Sequence, residues 1–182
     1  MAQYVNPEVN RNVSNNNAMN YLVIFIFTIF FLIIYLDRSY SDKIVRKELQ
    51  KLVKINNKIC FKKFNVKCSN FTSGRKNLGF HYRKADLYFV EDAFIIVGFY
   101  TIFTKKIYRS ILILTSELEF YRSTFNKADE VTIPNRLNTD SLNKDVYIEF
   151  GQSSFTSTNV SIHLKNLSDA EKKFITIEKN YD

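Results

Sequence analysis

The chain of 182 residues has room for one ordinary domain and a membrane anchor. Aromatic residues make up 15% of it, glycine (4) and proline (2) are scarce and tryptophan is absent, which argues against a glycine-rich phosphate loop, a collagen-like segment and a proline-rich linker. The formal net charge is +8, but the segment from Asp37 to Lys76 alone contains twelve Lys or Arg and three acids, so the remainder is nearly neutral.

An apolar segment follows the polar tail of residues 1–18. From Tyr21 to Leu36 there is no charged residue, and Thr28, its polar interruption, can bond back to its own helix. With three more residues before it, the segment makes a helix of roughly 28 Å, enough to cross a hydrocarbon core. A cleavable signal peptide is disfavoured because the preceding residues are not basic and no small-residue cleavage site follows. We therefore predict one transmembrane helix over residues 19–36.

Charges on the two sides of this helix predict its direction. The tail contains one cation (Arg11) and one acid (Glu8). Six cations follow the helix within eighteen residues, and they are the candidate topology and lipid-headgroup residues: Arg38, Lys43, Arg46, Lys47, Lys51 and Lys54. Because cations beside a span remain on the cytoplasmic side, we expect the tail outside and the rest of the chain in the cytosol.

The basic connector of residues 37–58 has helical periodicity. Val45, Leu49, Leu52 and Val53 recur at helical spacing, which predicts an amphipathic basic helix. It could lie on an anionic leaflet, at about 1 kcal/mol per cation near the surface. The preferred interpretation is a topology signal whose apolar stripe packs on the domain, and the two interpretations are compatible.

From residue 59 the pattern becomes strand-like. A hairpin is predicted from two β-prone runs, 86–90 and 93–103, joined by Glu91-Asp92. The second run is apolar on both faces, as in a strand buried on both sides, and Gly98 within it indicates a bend or bulge. Further strands are predicted at 111–114, 131–133, 145–150 and 160–164.

The last predicted element is a C-terminal helix. Ser168 and Glu171 form a capping box that opens a helix to about Lys179. Its apolar face is formed by Phe174, Ile177 and Tyr181. Residues 59–182 are therefore predicted to be α+β, a bent antiparallel sheet or small barrel with one open end capped by this helix.

Three segments of this domain resemble bacterial pleckstrin-homology-like domains, including the GRAM-type variant. They are ADLYFVEDAFIIVG (85–98), DVYIEFG (145–151) and VSIHLKNLSDAEKKF (160–174). The resemblance covers about two-thirds of the chain and is one of pattern. It implies a seven-stranded bent sheet that binds lipid, protein or peptide, here on the cytosolic side of a bacterial inner membrane.

The sequence predicts no catalytic, metal or cofactor site. Cys60 and Cys68 are expected to be reduced thiols, because two cysteines match neither a disulfide framework nor a zinc site. His81 and His163 are isolated, and each is expected to be structural or solvated. A hydroxyl-rich turn carries candidate ligand residues, although a plain polar hairpin loop is preferred: Ser153, Ser154 and Thr156.

These observations predict a non-enzymatic, membrane-tethered module for binding or scaffolding. A protein or peptide ligand is expected, with the edge strand beside the capping helix as the place where a peptide strand adds. The alternative is a sensor of anionic lipid surfaces, or a small transport accessory protein, that uses the basic connector. Nucleic acid is not an expected partner, because the cations lie beside a membrane span without a nucleic-acid motif.

Overall fold

The structure is a computed structural model that describes residues 7–74, 80–141, 144–151 and 158–175, with side chains from Met19 onward except Val53. Contacts divide the chain into two compact units, Met1–Ser39 and Tyr40–Asp182.

The first unit contains the apolar part of helix α1, which runs from Pro7 to Gln50. Among the described helices, α1 is the one that is long and apolar enough to cross a membrane, and its apolar side chains are largely exposed. Thr28 Oγ1 donates to the carbonyl of Ile24 at 2.8 Å, which confirms the predicted bond within the helix. By length and composition, α1 therefore meets the requirements of the predicted anchor.

The second unit contains the end of α1 and a series of short elements. Among the described residues these are a 3₁₀ helix, η1 (Lys51–Lys58), β1 (Ile59–Gly74), β2 (Lys84–Val90), β3 (Ala93–Ile102), β4 (Lys105–Thr115), α2 (Leu118–Thr124), β5 (Glu130–Thr132), β6 (Arg136–Asn138), β7 (Val146–Gly151), β8 (Thr158–Leu164) and α3 (Asp169–Lys172).

The strands form one sheet in the order β5-β4-β3-β2-β1-β8-β7-β6. Strand β1 belongs to both halves, because it pairs with β2 as far as Lys67 and with β8 from Cys68. The two edge strands, β5 and β6, are separated in sequence only by residues 133–135. Three linking residues span at most about 14 Å, so the two edges must lie close together. The sheet is accordingly curled into a half-barrel.

Apolar residues pack on both faces of β3 and β4. The inner cluster joins the two halves of the sheet and includes Phe89, Ile96, Leu112, Ile148 and Val160. The outer cluster covers the other face of β2 to β5 with residues from the end of α1, η1 and α2: Val45, Leu52, Ile55, Tyr121 and Phe125. The predicted two-sided burial of β3 is therefore confirmed, because helices cover the face that the half-barrel leaves outside.

Strands are present at all six predicted places, longer than predicted at 86–90, 111–114 and 160–164, and the hairpin turn at Glu91-Asp92 is confirmed. The register of β3 against β4 shifts between Gly98 and Phe99 as expected for an irregularity at this point, but the extra residue, Arg109, lies on β4 and not on β3. One expectation was wrong: the sheet is not wholly antiparallel, because β4 and β5 pair in parallel. The connector also differs from a continuous helix, since η1 is a 3₁₀ helix with a non-helical backbone at Ile55.

The predicted C-terminal helix is confirmed only as a single turn, because α3 ends at Lys172 and Phe174 follows in a turn. The capping box is confirmed, because the Ser168 side chain accepts from the Glu171 amide and the Glu171 carboxylate accepts from the Ser168 amide. Phe174 stacks on Phe61, with ring centroids 5.4 Å apart, so this segment packs against the sheet. The predicted continuation with Ile177, Lys179 and Tyr181 lies outside the described residues.

Candidate functional site

Two of the six candidate cations of the connector are bound within the second unit. Arg46 Nε lies 2.8 Å from Asp42 Oδ2, and its Nη2 donates to the Lys106 carbonyl at 2.8 Å. Lys51 Nζ lies 2.8 Å from Glu48 Oε1 and donates to Asn126 Oδ1 at 2.8 Å. Arg46 therefore holds the connector on β4, and Lys51 holds it on the segment that follows α2.

The other four candidate cations are exposed: Arg38, Lys43, Lys47 and Lys54. On the same stretch Val45 and Leu52 are buried in the outer cluster, with Leu49 partly buried against it. The predicted packing of the apolar stripe on the domain is thus confirmed for these residues, and the headgroup role of the exposed cations stays a prediction.

A groove of about 460 Å³ opens where β1 leaves β2 and joins β8. The groove is lined by residues from β1, the start of β2 and the end of β8: Lys67, Cys68, Ser69, Asn70, Tyr82, Arg83, Lys84 and Lys165. Backbone bonds fix its two sides, since the Cys68 amide donates to the Arg83 carbonyl at 3.0 Å and the Lys165 amide to the Lys67 carbonyl at 2.9 Å. The Asn70 side-chain amide donates to the Tyr82 carbonyl at 2.9 Å. We call this the basic groove.

The basic groove is strongly positive. Four of its lining residues are cations with exposed side chains, namely Lys67, Arg83, Lys84 and Lys165, and none of its lining residues is an acid. Burial raises the pKa of the Cys68 thiol to about 12, so Cys68 is neutral and unreactive near pH 7. The groove therefore offers positive charge and hydrogen-bond donors, which suit an anion.

A buried carboxylate lies on β2 beside the groove. Asp86, whose side chain is 1% exposed, accepts from Lys106 Nζ at 2.9 Å, the Tyr108 hydroxyl at 3.2 Å and the Asn65 amide at 2.9 Å. These contacts are all within the domain, and the charge of Asp86 is compensated by Lys106. This cluster is a structural link between β1, β2 and β4 rather than a place for a ligand.

The turn between β3 and β4 exposes apolar side chains. Phe103 is 99% exposed with a backbone φ of 53°, and Ile102 before it is 40% exposed. Lys105, also exposed, begins the next strand. We call residues 102–104 the hairpin tip.

A second groove, of about 390 Å³, has mixed charge. Lys172 within it lies 3.8 Å from Asp140 Oδ1 and 3.5 Å from Asp169 Oδ1. Cations and acids both line it, so it has no single preference for an anion or a cation.

The two histidines are within the described residues, and neither of them lines the basic groove. His81 is exposed, and His163 packs edge-on against Tyr147 with ring centroids 4.9 Å apart. Within the described part of the chain, no three His, Cys, Asp or Glu side chains are grouped to hold a metal ion. The hydroxyl-rich turn with Ser153, Ser154 and Thr156 lies outside the described residues.

Sequence reasoning did not identify the basic groove. Lys67 and Lys165 are almost a hundred positions apart, and only the pairing of β1 with β8 brings them together. The signal present in the sequence was the adjacent pair of cations Arg83-Lys84, just before the predicted strand at 86–90. Nothing in the sequence indicated that the segment with Lys67 pairs with that strand. Comparisons with protein-family models, curated proteins and solved structures returned no match.

Proposed function

We propose that this chain is a single-span membrane protein whose strand-rich domain binds, without catalysis, the anionic headgroups of the bilayer that anchors it. The basic groove is the proposed headgroup site, and the exposed cations of the connector assist it. The observation that carries the proposal is that the groove opens at the end of the sheet where the connector first meets the domain.

Strand register links the connector to the groove. Asp42 Oδ1 accepts from the Tyr108 amide at 2.8 Å. Tyr108 pairs with Phe99 and Phe99 with Lys84, which lines the groove, so two strand spacings, about 10 Å, separate Tyr108 from Lys84. Asp42 follows the last apolar residue of the predicted span, Leu36, by six positions, at most about 20 Å of chain. The short chain between the predicted span and Asp42 supports a ligand at the surface of the membrane.

Charge supports an anionic ligand at this surface. A cation near an anionic leaflet contributes about 1 kcal/mol, so the four groove cations and the exposed connector cations together can hold the domain against it. Such attraction is screened over about 8 Å at physiological ionic strength, so salt should weaken it.

The proposal includes the predicted pleckstrin-homology-like identity and orientation. What supports the identity is the passage from β8 into a helix that opens with the Ser168–Glu171 capping box, beside a curled sheet. What supports a cytosolic domain on a bacterial inner membrane is the excess of cations after the apolar segment.

Peptide addition to an edge strand, the other ligand mode, has less support. The edge strands β5 and β6 are three residues long each, and residues 133–135 join one edge to the other. Short, mutually linked edges leave few unpaired backbone groups for an added strand. Capture of a protein partner would nevertheless be compatible with the same anchored architecture.

The full chain in lipid nanodiscs provides the test. Lysine acylation, read residue by residue by mass spectrometry, should be slower at Lys67, Lys84 and Lys165 in phosphatidylglycerol than in phosphatidylcholine. We expect roughly a threefold or larger slowing, reduced in high salt. Lys127, exposed and outside the groove lining, is the internal control and should react equally in both lipids.

Matched charge variants separate groove binding from general attraction. A triple variant K67Q/R83Q/K84Q keeps Lys165 as a reporter. In this variant the slower acylation of Lys165 in phosphatidylglycerol should disappear. The control K127Q/K144Q/K173Q removes the same number of exposed charges outside the groove and should leave Lys165 protected. Equal acylation in the two lipids, or equal loss in both variants, would refute the headgroup site.

A further inference from the structure

We propose that the hairpin tip enters the interfacial layer of the same bilayer, with Phe103 as an apolar anchor. The inference rests on the proposed function, which puts this end of the domain at the membrane. It adds an apolar contact to the proposed contact between the groove cations and the headgroups.

The fold itself does not account for Phe103. Its side chain is 99% exposed, so it contributes nothing to either apolar cluster of the domain. Its φ of 53° lies in the left-handed region, where a bulky residue is uncommon and glycine or asparagine would be less strained. A strained, wholly exposed phenyl ring is unfavourable in water, and burial in an apolar phase outside the domain would compensate.

The base of the hairpin is held firmly. Arg46 donates to the Lys106 carbonyl, and its guanidinium lies 5.0 Å from the centre of the Tyr108 ring. Lys106 Nζ is bonded to Asp86 and lies 4.4 Å from the centre of the Phe99 ring. The tip thus projects from an ordered base, so its exposed residues do not follow from loose local packing.

Within the second unit, the start of the connector lies at the same end as the tip. Ser41 and Asp42 contact Arg109 and Tyr108, close to the tip, whereas the Lys58 carbonyl accepts from the Glu91 amide at the opposite end of the sheet. The connector therefore runs away from the tip as the chain proceeds. The tip extends three residues, about 10 Å, beyond the Phe99–Tyr108 pair.

The composition of the tip fits a bilayer interface. Two apolar residues, Ile102 and Phe103, are followed by the exposed Lys105 and are accompanied by the groove cations on the same end of the sheet. Aromatic and aliphatic side chains favour the boundary between headgroups and acyl chains, while lysines remain at the headgroups. These cations and the adjoining span favour lipid as the occupant over a second copy of this positively charged domain.

The absence of tryptophan from the chain makes the test clean. Phe103→Trp gives the full chain a single tryptophan at the tip, which can be excited selectively over the tyrosines. Phe120→Trp places the tryptophan on α2, beyond the far end of β4, at a residue that is 43% exposed. In phosphatidylglycerol nanodiscs with brominated acyl chains, the fluorophore of Phe103→Trp should be quenched at least about twofold more than that of Phe120→Trp. Aqueous acrylamide should show the reverse order.

A second reporter, Thr104→Trp, covers the case in which substitution of Phe103 disturbs the turn. Equal quenching by bromine in the three variants, at positions 103, 104 and 120, would overturn the anchor. A blue-shifted emission that is insensitive to bromine and requires two chains in one nanodisc would also overturn it, in favour of a contact between copies.

The two proposals can fail separately. Repeating the quenching in phosphatidylcholine removes the anionic headgroups but keeps the apolar interface. If Phe103→Trp is quenched there as well, while the groove lysines are unprotected in phosphatidylglycerol, the anchor is retained and the headgroup site is rejected. If the groove lysines are protected while Phe103→Trp is not quenched, the headgroup site is retained and the anchor is rejected.

Discussion

The ring of Tyr82 occupies the space in which a side chain on Gly98 would lie. A Cβ built on Gly98 would be 2.2 Å from Cδ1 and Cε1 of Tyr82. Tyr82 is buried in the inner cluster between the two halves of the sheet, so it cannot move aside without opening the core.

Gly98→Ala should therefore destabilise the domain by about 1–3 kcal/mol, the usual cost of overpacking a well-packed core. Urea unfolding of the full chain in detergent, followed by circular dichroism, measures this as a lower midpoint. In a Tyr82→Ala background the same glycine substitution should cost much less, because the clash is gone. Equal costs in the two backgrounds would show that the ring is not the obstacle.

The ion pair between Asp86 and Lys106 gives a second prediction. Asp86→Ala should destabilise the domain by at most about 3 kcal/mol, because the Lys106 side chain is 30% exposed and can partly recover water. Lys106→Met should cost more, since it leaves a buried carboxylate without its cation. The double variant should cost less than the sum of the two, and strict additivity in thermal or urea unfolding would contradict the pairing.

Asp92 predicts a pH dependence. Burial alone would raise the pKa of Asp92, but hydrogen bonds from the Tyr121 hydroxyl at 2.5 Å and from Lys58 Nζ at 2.9 Å outweigh it and lower that pKa. The ionised form is thus favoured in the folded state. Its stabilising contribution is present above the unfolded pKa, near 4, and is lost as pH falls through the lower folded pKa.

Asp92→Asn should accordingly flatten the loss of stability as the pH falls below about 4, as measured by urea midpoints at each pH. Glu91→Gln, at the neighbouring turn position, is the control and should retain the slope of the natural chain. An unchanged slope in Asp92→Asn would show that other carboxylates cause the acid sensitivity.

The two thiols should react very differently. Cys60 is exposed and Cys68 is buried, with a pKa of about 12, so its thiolate fraction near pH 7.5 is below about one in ten thousand. A maleimide should modify one thiol per folded chain, at Cys60, and the second only in denaturant. Fast modification of both thiols without denaturant would contradict the burial of Cys68.

The same thiol tests the predicted orientation. With a maleimide that does not cross membranes, Cys60 should be labelled only after the cells are broken, because the cations beside the span predict a cytosolic domain. A cysteine introduced in the tail by Ser14→Cys, in a Cys60→Ser background, should be labelled in intact cells. Labelling of Cys60 in intact cells would reverse the topology.

Local pattern was enough to predict the elements that are regular and two-faced. The alternation in β7 and β8 and the capping box at Ser168 each have a signature within a few residues, and all were confirmed. Strand β1 was missed because it changes partner at Lys67 and because its residue types do not follow its alternating burial: Phe64 and Phe71 are exposed, whereas Lys63 and Asn70 are partly buried. The basic groove was missed for the same reason, since it exists only where that strand changes partner.

Local sequence patterns could not predict which distant segments pair. The parallel contact of β5 with β4 depends on where α2 returns the chain, and α2 itself is short, with one buried side chain, Tyr121, in its seven residues. The end of the connector as a 3₁₀ helix follows from the need to place Ile55 and Ile59 against the sheet, a tertiary demand that overrides helical spacing.

The burial of Val45, Leu52 and Ile55 beneath β3 and β4 determines where a soluble version of this domain could be cut. A fragment that begins at the first strand would leave this face of the two apolar strands covered only by Tyr121, Phe125 and their neighbours, and exposed apolar surfaces recruit neighbouring molecules into aggregates. A fragment that begins before Asp42 would keep its own cover. Crystallisation and ligand screens on this protein therefore depend on retaining the last two turns of helix α1.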